Sequence, residues 1–431
     1  MKVNNGIKQT EIGLIPEDWE IAKLGDVMEE VNIRVKDLDT IDAEEIPILS
    51  LTKNYGLIPQ SQRFHKRIAT EDVSNYKVIR KWQVVYNPYV IWEGAIHTLR
   101  KMDIGIVSPV YIVWKFKDNV DPSFMDYLLR TPLLLNSYLS RASGVVNRRR
   151  SISKTDFLNI PIPLPPLSEQ QKIAKVLDTI QRAIEIQDRI IETTKNLKKS
   201  LMQRLFREGT KGEELKETET GLIPKSWKVV RLGEVADFKN GINFSKEQKG
   251  TQGILTVDVL NMYSEGIYLN FENLYRVDVN LENDSDYILK IGDILIVRSS
   301  LKREGVGWAS LFGGWEEPVT FCGFIIRIRL NNISNILPEY LTYFLRSEIA
   351  REELIKASGQ VAITNITQGA LKSLKIPRPS LPEQQGISSI LSTIDRKIKI
   401  EQRRKDLLKQ LFKTMLHKLM SGEIRLWDVE I

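Results

Sequence analysis

The chain has 431 residues, of which 42% are apolar and 27% charged, and its formal net charge is +7. This length allows two or three domains with separate cores, and the lone cysteine, Cys322, excludes an internal disulfide. The three histidines are scattered, so they do not predict a metal site. We expect a cytoplasmic protein, because we find neither a secretion signal nor the continuous apolar run of a membrane span. The positive charge favours a polyanionic partner.

A motif near the start of the chain occurs again in its second half. Residues 10–27 read TEIGLIPEDWEIAKLGDV and residues 218–235 read TETGLIPKSWKVVRLGEV, with ten of eighteen positions identical. Such a match predicts an internal duplication. Each half then has the same plan: this motif, a variable stretch, a proline-rich bridge and a long helix.

The variable stretches are predicted to be rich in β-strands. Strands are expected around Leu49 and in residues 78–85, 104–117, 253–259, 293–297 and 320–330, where β-branched and aromatic residues lie between turn signals. Residues 122–139 and 338–356 are predicted helices, and Ala-Ser-Gly follows each of them. We therefore expect one topology that was copied and now carries two different surfaces.

Residues 160–206 and 376–420 each combine a proline-rich bridge with an apolar pattern of alternating steps of three and four, which is the period of a coiled coil. Each predicts about forty residues of helix, roughly 60 Å long. Polar residues interrupt the seams at Gln187 and at Glu401 with Lys405. Pro382 stands where the first copy has Ser168, so we expect the second helix to start later. The two helices should pair; a long core helix in each of two ordinary domains is the alternative.

The bridge Pro-x-Pro-x-Leu-x-Glu-Gln, the motif Leu-Ile-Pro-x-x-Trp and their two-fold occurrence resemble the specificity subunit of type I restriction-modification systems. The resemblance covers essentially the whole chain. It implies that each variable stretch is a target recognition domain that reads one half of a bipartite, asymmetric site in double-stranded DNA. It also implies an antiparallel coiled coil that sets the distance between half-sites and docks two methyltransferase subunits. Two motor-nuclease subunits would join for cleavage, and S-adenosylmethionine and ATP would be bound by these partners, with no cofactor on this chain.

The expected fold is of the α+β class, with two duplicated β-rich target recognition domains separated by a pair of long antiparallel helices in a pseudo-two-fold arrangement. The predicted boundaries are 1–159 for the first recognition domain, 160–207 for the first bridge and helix, 208–218 for a polar linker, 219–375 for the second recognition domain and 376–431 for the second helix and tail.

Three catalytic alternatives are weighed against the residues. Residues 86–89, Tyr-Asn-Pro-Tyr, are similar to the Asn-Pro-Pro-Tyr motif of amino-methyltransferases, but a second proline and an upstream glycine-rich cofactor loop are missing. The glycines at 305, 307, 313 and 314 lack the Gly-Lys-Ser/Thr of a phosphate loop. Asp286 and Asp293 beside Lys290 could belong to a nuclease, although such residues are more often found in turns. An enzyme fused to a recognition module and a pure scaffold therefore stay as alternatives to a non-catalytic DNA-recognition subunit.

Candidate DNA-binding residues are those that suit base edges or phosphates and lie near turn signals. They are Lys53, Asn54, Tyr55, Arg63, His65, Lys66, Arg67, Asn147, Arg148, Arg149 and Arg150 in the first half, and Lys239, Asn240, Asn243, Lys246, Arg298, Lys302, Arg303, Asn365 and Gln368 in the second. Any one of them could equally belong to a solvated face. Trp92 and Trp308 could stack on DNA, but core packing is the more frequent role. The residues predicted to dock partner subunits are Glu169, Gln170, Glu383 and Gln384.

Overall fold

The computed structural model describes residues 6–38, 46–53, 56–63, 72–144, 150–279, 285–300, 305–357 and 364–426. Contacts within the chain divide it into two compact units: unit 1 comprises residues 1–185 and 406–431, and unit 2 comprises residues 186–405. Each unit contains one β-rich domain and part of both long helices, so the predicted α+β class with duplicated domains is confirmed. Within the described ranges, no helix is both long enough and apolar enough to cross a bilayer.

The first half of the chain consists of short strands followed by one long helix. Its elements are β1 (Ile7–Thr10), β2 (Gly13–Pro16), β3 (Glu20–Lys23), α1 (Leu24–Val27), β4 (Met28–Val31), β5 (Leu49–Thr52), β6 (Gly56–Pro59), α2 (Gln60–Arg63), β7 (Lys77–Arg80), β8 (Val84–Tyr86), β9 (Ile96–Thr98), β10 (Ile104–Val107), β11 (Ile112–Phe116), α3 (Pro122–Leu128), α4 (Pro132–Arg141), α5 (Lys154–Leu158), β12 (Pro161–Leu164) and α6 (Leu167–Glu208).

The second half repeats this order after the end of α6. Its elements are β13 (Leu215–Thr218), β14 (Gly221–Pro224), β15 (Lys228–Arg231), α7 (Leu232–Val235), β16 (Ala236–Asn240), β17 (Lys249–Gly250), β18 (Ile254–Val257), β19 (Tyr275–Val277), β20 (Ile294–Val297), β21 (Ser299–Ser300), β22 (Ala309–Leu311), β23 (Val319–Phe321), β24 (Ile325–Leu330), α8 (Pro338–Arg346), α9 (Glu348–Ala357), β25 (Thr364–Asn365), α10 (Gln368–Ser373), β26 (Lys375–Arg378) and α11 (Leu381–Met420).

The central sheet of each unit has four strands in the same order. In unit 1 the order is β4-β11-β8-β9 and in unit 2 it is β16-β24-β20-β22, with all neighbours antiparallel. The β-branched residues that predict these strands are buried, as in β8 and β20. Val84 pairs with Thr98 and Trp114, and Ile294 pairs with Leu311 and Ile328. These two registers give the residue-by-residue match between the units.

Smaller sheets complete each unit. The proline-rich bridge becomes a strand in both copies, since β12 pairs with β3 and β26 pairs with β15. The hairpins β1-β2 and β13-β14 also correspond, so the end of the predicted linker is a strand. Unit 2 has a second four-stranded sheet, β17-β19-β18-β23, and its buried residues share a cluster with Leu295, Val297 and Ile325 of the central sheet.

Each of the two helices predicted in the variable stretches is interrupted. Thr131 has ψ of 151° between α3 and α4, and Ser347 has ψ of 154° between α8 and α9, so both residues are extended. At Thr131 the cause is Pro132, whose ring disfavours the helical conformation of the preceding residue.

The two long helices start at equivalent positions, Leu167 and Leu381. The prediction that α11 starts later than α6 was wrong. Pro382 is the second residue of α11, within the first turn, where a backbone N–H has no acceptor inside the helix. Proline is therefore tolerated there.

In unit 2, α6 and α11 run antiparallel along a seam. Gln187 Nε2 donates to Glu401 Oε2 at 2.6 Å, and Lys198 Nζ lies 2.5 Å from Asp395 Oδ1, so rising numbers in α6 meet falling numbers in α11. Gln187 and Glu401 are 214 residues apart, which is also the separation of the two helix starts. The polar interruptions predicted in the two seams thus contact each other.

A buried glutamate joins the repeated tryptophan motif to the start of each long helix. Trp19 Nε1 donates to Glu169 Oε2 at 3.1 Å, and Trp227 Nε1 donates to Glu383 Oε2 at the same distance. Both indole rings are fully buried. The two parts of the sequence that repeat most clearly are therefore in contact in both units.

The following glutamine holds the chain that leads into α3 or α8. Gln170 Oε1 accepts from the backbone N–H of Asp121 at 2.9 Å, and Gln384 Oε1 accepts from that of Leu337 at 2.8 Å. The four side chains predicted to dock partner subunits, Glu169, Gln170, Glu383 and Gln384, are thus buried and bonded within the chain. That role does not fit their burial, because a buried side chain offers no surface to a partner.

The segment that follows each long helix closes over this joint. In unit 1, Arg425 donates to Glu169 at 2.8 Å from both Nε and Nη2, donates to Asp18 at 2.8 Å from Nη1, and is only 1% exposed. In unit 2, Lys211 Nζ lies 3.5 Å from Glu383 and is 54% exposed. Each unit thus places a basic side chain from this segment against its buried glutamate, but Arg425 is buried whereas the side chain of Lys211 is half-exposed.

In each unit a tyrosine of the β-rich domain donates a hydrogen bond to an aspartate on a long helix, α6 in unit 1 and α11 in unit 2. Tyr127 Oη donates to Asp178 at 2.7 Å, and Tyr343 Oη donates to Asp395 at 2.8 Å. In unit 1, Ser123 and Arg100 also bond Asp178. These bonds hold the β-rich domain of each unit in a fixed orientation on its own helix segments.

Candidate nucleic-acid interface

In unit 2, one end of the central sheet carries most of the predicted side chains. A turn over residues 322–325 precedes β24 and is closed by a bond from Ile325 N to Cys322 O of 3.0 Å. Arg298 N, just after β20, donates to Phe324 O at 2.8 Å, and Gly241 N, just after β16, donates to Ile325 O at 3.0 Å. The ends of three strands therefore meet at this turn.

Polar side chains surround the turn. Gln368 Nε2 donates to Asn240 Oδ1 at 3.1 Å, and Asn365 accepts from the hydroxyl of Ser299, next to Arg298. Asn243 lies against Gly323 so closely that a Cβ there would be 2.1 Å from its Oδ1. We call the resulting set the unit 2 edge; its members are Asn240, Asn243, Arg298, Phe324, Asn365 and Gln368.

Two other predicted residues of unit 2 lie elsewhere. The ammonium group of Lys239 is 4.3 Å from the centre of the Tyr287 ring, as expected for the opposite face of the strand from Asn240. Lys246 is exposed in the loop between β16 and β17. Lys302 and Arg303 lie outside the described residues. The structure thus brings together five of the predicted residues, and it adds Phe324.

Unit 1 has an equivalent edge with different residues. Tyr86 pairs with Ile112 as Ile296 pairs with Ile326, so Val110 matches Phe324 and Pro88 matches Arg298. Ile152 N donates to Pro88 O at 3.2 Å, as Ile366 N does to Arg298 O at 2.9 Å. We call Pro88, Tyr89, Val110 and Arg150 the unit 1 edge; Tyr89 and Val110 are exposed there.

Of the other residues predicted in the first half, Lys53 is exposed, and its Cγ lies beside Gly94 in the loop between β8 and β9. Arg150 is half-buried and donates to Ala142 O at 3.4 Å. The remaining candidates lie outside the described residues, as does the side chain of Arg63; they are Asn54, Tyr55, His65, Lys66, Arg67, Asn147, Arg148 and Arg149.

Sequence reasoning missed the exposed apolar residues at the two edges. Phe324 is 61% exposed and Val110 is 51% exposed, although both precede strands with buried residues. The available signal was a glycine before an aromatic residue, Gly323-Phe324, within residues 320–330, which were predicted as one strand but form the end of β23, a turn and β24. Trp92 and Trp308, by contrast, pack against hydrophobic clusters, in line with the more frequent role weighed above.

The groups that suggested catalytic chemistry have structural partners. Asn87 Oδ1 accepts from Tyr89 N at 3.1 Å, which stabilises its own turn, and Tyr86 is buried. Asp293 is buried and accepts from Arg329 Nε at 2.7 Å. Burial raises the pKa of the Cys322 thiol to about 12, with a further contribution from Asp258, so this thiol stays protonated.

Among the described residues, no group of three or more His, Cys, Asp or Glu side chains could hold a metal ion.

A cavity of about 330 Å³ lies beside α6 in unit 2. Its wall includes Lys195 and Lys199, whose ammonium groups lie 2.6 Å from carboxylate oxygens of Glu265 and Glu348 respectively. These two ion pairs connect α6 to the β-rich domain. Lys198 and Arg346 also line the wall and have partners within the chain: Lys198 Nζ lies 2.5 Å from Asp395 Oδ1, and Arg346 donates to the carbonyl oxygens of Ala309 and Gly266 at 2.6 Å.

Comparisons with known proteins agree with this architecture. The sequence profile of the family described as "Type I restriction modification DNA specificity domain" matches residues 16–196 and 224–410. The chain is 27% identical over 423 residues to the type I restriction enzyme MjaVIII specificity subunit of Methanocaldococcus jannaschii, covering 95% of this chain and 94% of that one. It is 28% identical to the putative MjaX specificity subunit of the same organism, covering 97% and 96%.

Two solved structures share the fold. The type I restriction-modification S subunit from M. genitalium has a TM-score of 0.55 at 15% identity, covering 97% of this chain and 98% of that chain. A chain from a study of complex assembly and conformational transition of the type I R-M system has a TM-score of 0.58 at 18% identity, covering 95% and 99%. The duplicated profile spans most of the sequence, and the long relatives cover nearly all of it. The chain therefore belongs to the family of type I restriction-modification specificity subunits.

Proposed function

We propose that this chain reads a bipartite site in double-stranded DNA, with one half-site bound at the edge of each unit. The long helices would set the spacer between the half-sites and would dock two methyltransferase subunits, which two motor-nuclease subunits join. The chain itself would be non-catalytic and would work in the cytoplasm. S-adenosylmethionine and ATP would be bound by the partner subunits.

The observation that carries the proposal is the pair of equivalent edges with unlike side chains. Asparagine, glutamine and arginine can each make two hydrogen bonds to a base edge in the major groove, and Asn365, Gln368 and Arg298 are of these types. The residue of unit 1 that matches Arg298 is Pro88. One scaffold with two chemically different edges suits two different half-sites.

The geometry of the catalytic candidates supports leaving the chemistry to partner subunits. A methyltransferase of the Asn-Pro-Pro-Tyr type uses its asparagine to hold the amino group of a flipped base. Here Asn87 Oδ1 already accepts from Tyr89 N. The motif-like residues 86–89 therefore serve a turn at the sheet edge.

A stripe of exposed apolar residues is the better candidate for docking the methyltransferases. Ile186, Ile190 and Leu197 are exposed on α6 at spacings of four and seven, which lie on one face of a helix. On α11 the exposed residues Ile400, Leu407 and Leu411 form the second stripe, and Ile400 and Leu411 are the equivalents of Ile186 and Leu197. Two equivalent stripes suit two copies of one partner. We propose these stripes as the docking surface in place of the Glu-Gln pairs, which are buried.

The test is to map the methylated sites in DNA modified by the chain together with its methyltransferase subunits. Asn365→Ala should relax the base preference at positions in one half-site and leave the other half unchanged, because Asn365 belongs to the unit 2 edge alone. The matched control is Asn332→Ala, an exposed asparagine at the far end of β24, which should leave the whole motif unchanged. Equal relaxation of both half-sites by Asn365→Ala would contradict the proposal that each edge binds its own half-site.

A further inference from the structure

The turn before β24 holds an aromatic ring in solvent on a well-fixed backbone. Phe324 is 61% exposed, yet its carbonyl accepts from Arg298 N at 2.8 Å, and the next residue is bonded on both sides. A Phe side chain in water gives up the favourable burial that most Phe side chains obtain. A fixed turn also limits the entropy lost when the ring meets a ligand. This ring is therefore prepared for contact with something outside the described chain.

The neighbours of the ring indicate what that ligand is. Asn243 contacts Gly323 of the turn, the backbone N–H of Arg298 donates to Phe324 O, and Asn365 accepts from Ser299, next to Arg298. Amide and guanidinium side chains on residues that contact or adjoin the turn carrying this exposed ring fit a duplex, whose base edges take hydrogen bonds and whose base faces take stacking. The core of a typical protein interface, in contrast, is depleted in polar groups.

We propose that Phe324 inserts its ring at a base step of the half-site bound by unit 2, and that Val110 makes a smaller apolar contact at the equivalent point of unit 1. Phenylalanine wedges of this kind partly unstack a base step and kink the duplex. The proposal rests on the proposed DNA-reading function and adds a specific contact to it. Because the two edges carry apolar residues of different size, the unit 2 half-site is deformed more.

The experiment uses the full-length chain and a 30-base-pair duplex that contains the methylation motif mapped in the host genome. 2-Aminopurine replaces one base at a time in the half-site read by unit 2. Wild-type chain should raise the 2-aminopurine fluorescence at one step, because the probe brightens when it is unstacked. Phe324→Ala should abolish this rise and weaken binding roughly 10- to 100-fold, the range expected for one stacking contact. Phe324→Trp should keep both properties.

Ile333→Ala is the matched control. Ile333 is 79% exposed and follows the far end of β24, so it is about 20 Å from Phe324 along a six-residue strand. It should change neither binding nor fluorescence. The urea midpoint should be nearly the same for both alanine variants, because both side chains are exposed, and this separates a DNA contact from loss of folding.

Three results would overturn the inference. Wild-type binding with unchanged affinity in Phe324→Ala would show that the ring does not touch DNA, while leaving the proposed function intact. Reduced retention of methyltransferase subunits with unchanged DNA affinity would make Phe324 a protein contact. A wild-type chain that shows no preference for the motif duplex, alone or with its methyltransferases, would refute the proposed function and this inference together.

Discussion

The clasp at Arg425 allows a stability experiment with an internal control. Arg425 is buried, and Glu169 beneath it is fully buried and accepts two of its hydrogen bonds at 2.8 Å. Among the described residues, Arg425→Met leaves Glu169 with the indole of Trp19 and the backbone N–H of Leu426 as its hydrogen-bond donors. Removing one partner of a buried ion pair costs about 3–5 kcal/mol, because the other charge stays buried without compensation.

Lys211 contacts Glu383, the equivalent glutamate of unit 2, and gives the matched control. Its side chain is half-exposed, its ammonium group lies 3.5 Å from Glu383, and Glu383 keeps its bonds from Trp227 and Thr210, so Lys211→Met should cost only about 0–1 kcal/mol. Urea unfolding followed by hydrogen exchange of peptides from each unit measures both effects separately. The unit 1 midpoint should fall by roughly 1–2 M urea in Arg425→Met. The unit 2 midpoint should scarcely move in Lys211→Met.

A double variant tests the physical reason for this difference. Glu169→Met combined with Arg425→Met removes both charges, so the unit should recover part of the stability that Arg425→Met alone loses. Equal effects of Arg425→Met and Lys211→Met would refute the reasoning. A double variant less stable than Arg425→Met would refute it as well.

Three further predictions concern the long helices. The pKa of Glu401 is lowered to about 2, because Lys397 and Gln187 bond its carboxylate. The contribution of the ionised carboxylate to stability should be complete above about pH 4.5 and lost as the pH falls through about 2. Glu401→Gln should remove this part of the pH dependence in acid unfolding. Four residues inserted in both helices beside Gln187 and Glu401 should lengthen the preferred spacer by one base pair, because the added rise of about 6 Å and rotation of roughly 40° beyond a full turn approach one base-pair step. Insertion into one helix alone should shift the seam of unit 2 and unfold it. Methylation of a library with variable spacers measures this, and an unchanged optimum for the double insertion would contradict the proposal that the helices set the spacer. Ile186→Asp with Leu197→Asp should abolish copurification of methyltransferase subunits without changing the urea midpoint, because both side chains are exposed; normal copurification would exclude the stripe as the docking surface.

The sequence was sufficient for the architecture because the informative signals are periodic or repeated. The alternation of apolar residues predicts α6 and α11, and the two tryptophan motifs predict the duplication. The contact between Trp19 and Glu169 explains why both motifs recur, but it joins residues 150 positions apart and no local pattern encodes it. Burial of Glu169 was missed for the same reason: a glutamate at a helix start is usually solvated, and only the folded joint shows its partners.

The sequence allowed us to predict which residue types are candidates for DNA binding, but not which of those residues lie together on one surface. Asn240 and Asn365 belong to two separate strands and Arg298 directly follows a third, and only the sheet register brings them to one edge. Lys239 satisfied the same sequence criterion as its neighbour Asn240, yet the alternation of a strand directs it to the ring of Tyr287. Residue type indicates what can read DNA, whereas strand pairing decides what is positioned to do so.

The seam of the two helices contains one asymmetry with a consequence for pairing. Gln187 and Glu401 are equivalent positions of the repeat and contact each other, so a protein assembled from two copies of the second half would oppose two glutamates there. Two copies of the first half would oppose two glutamines, which can bond each other without charge. If the halves were produced as separate chains, second halves would reject one another and select first halves, because like charges in a helix seam disfavour the wrong partner. A single carboxylate thus disfavours the association of two second halves, while two first halves stay compatible with each other.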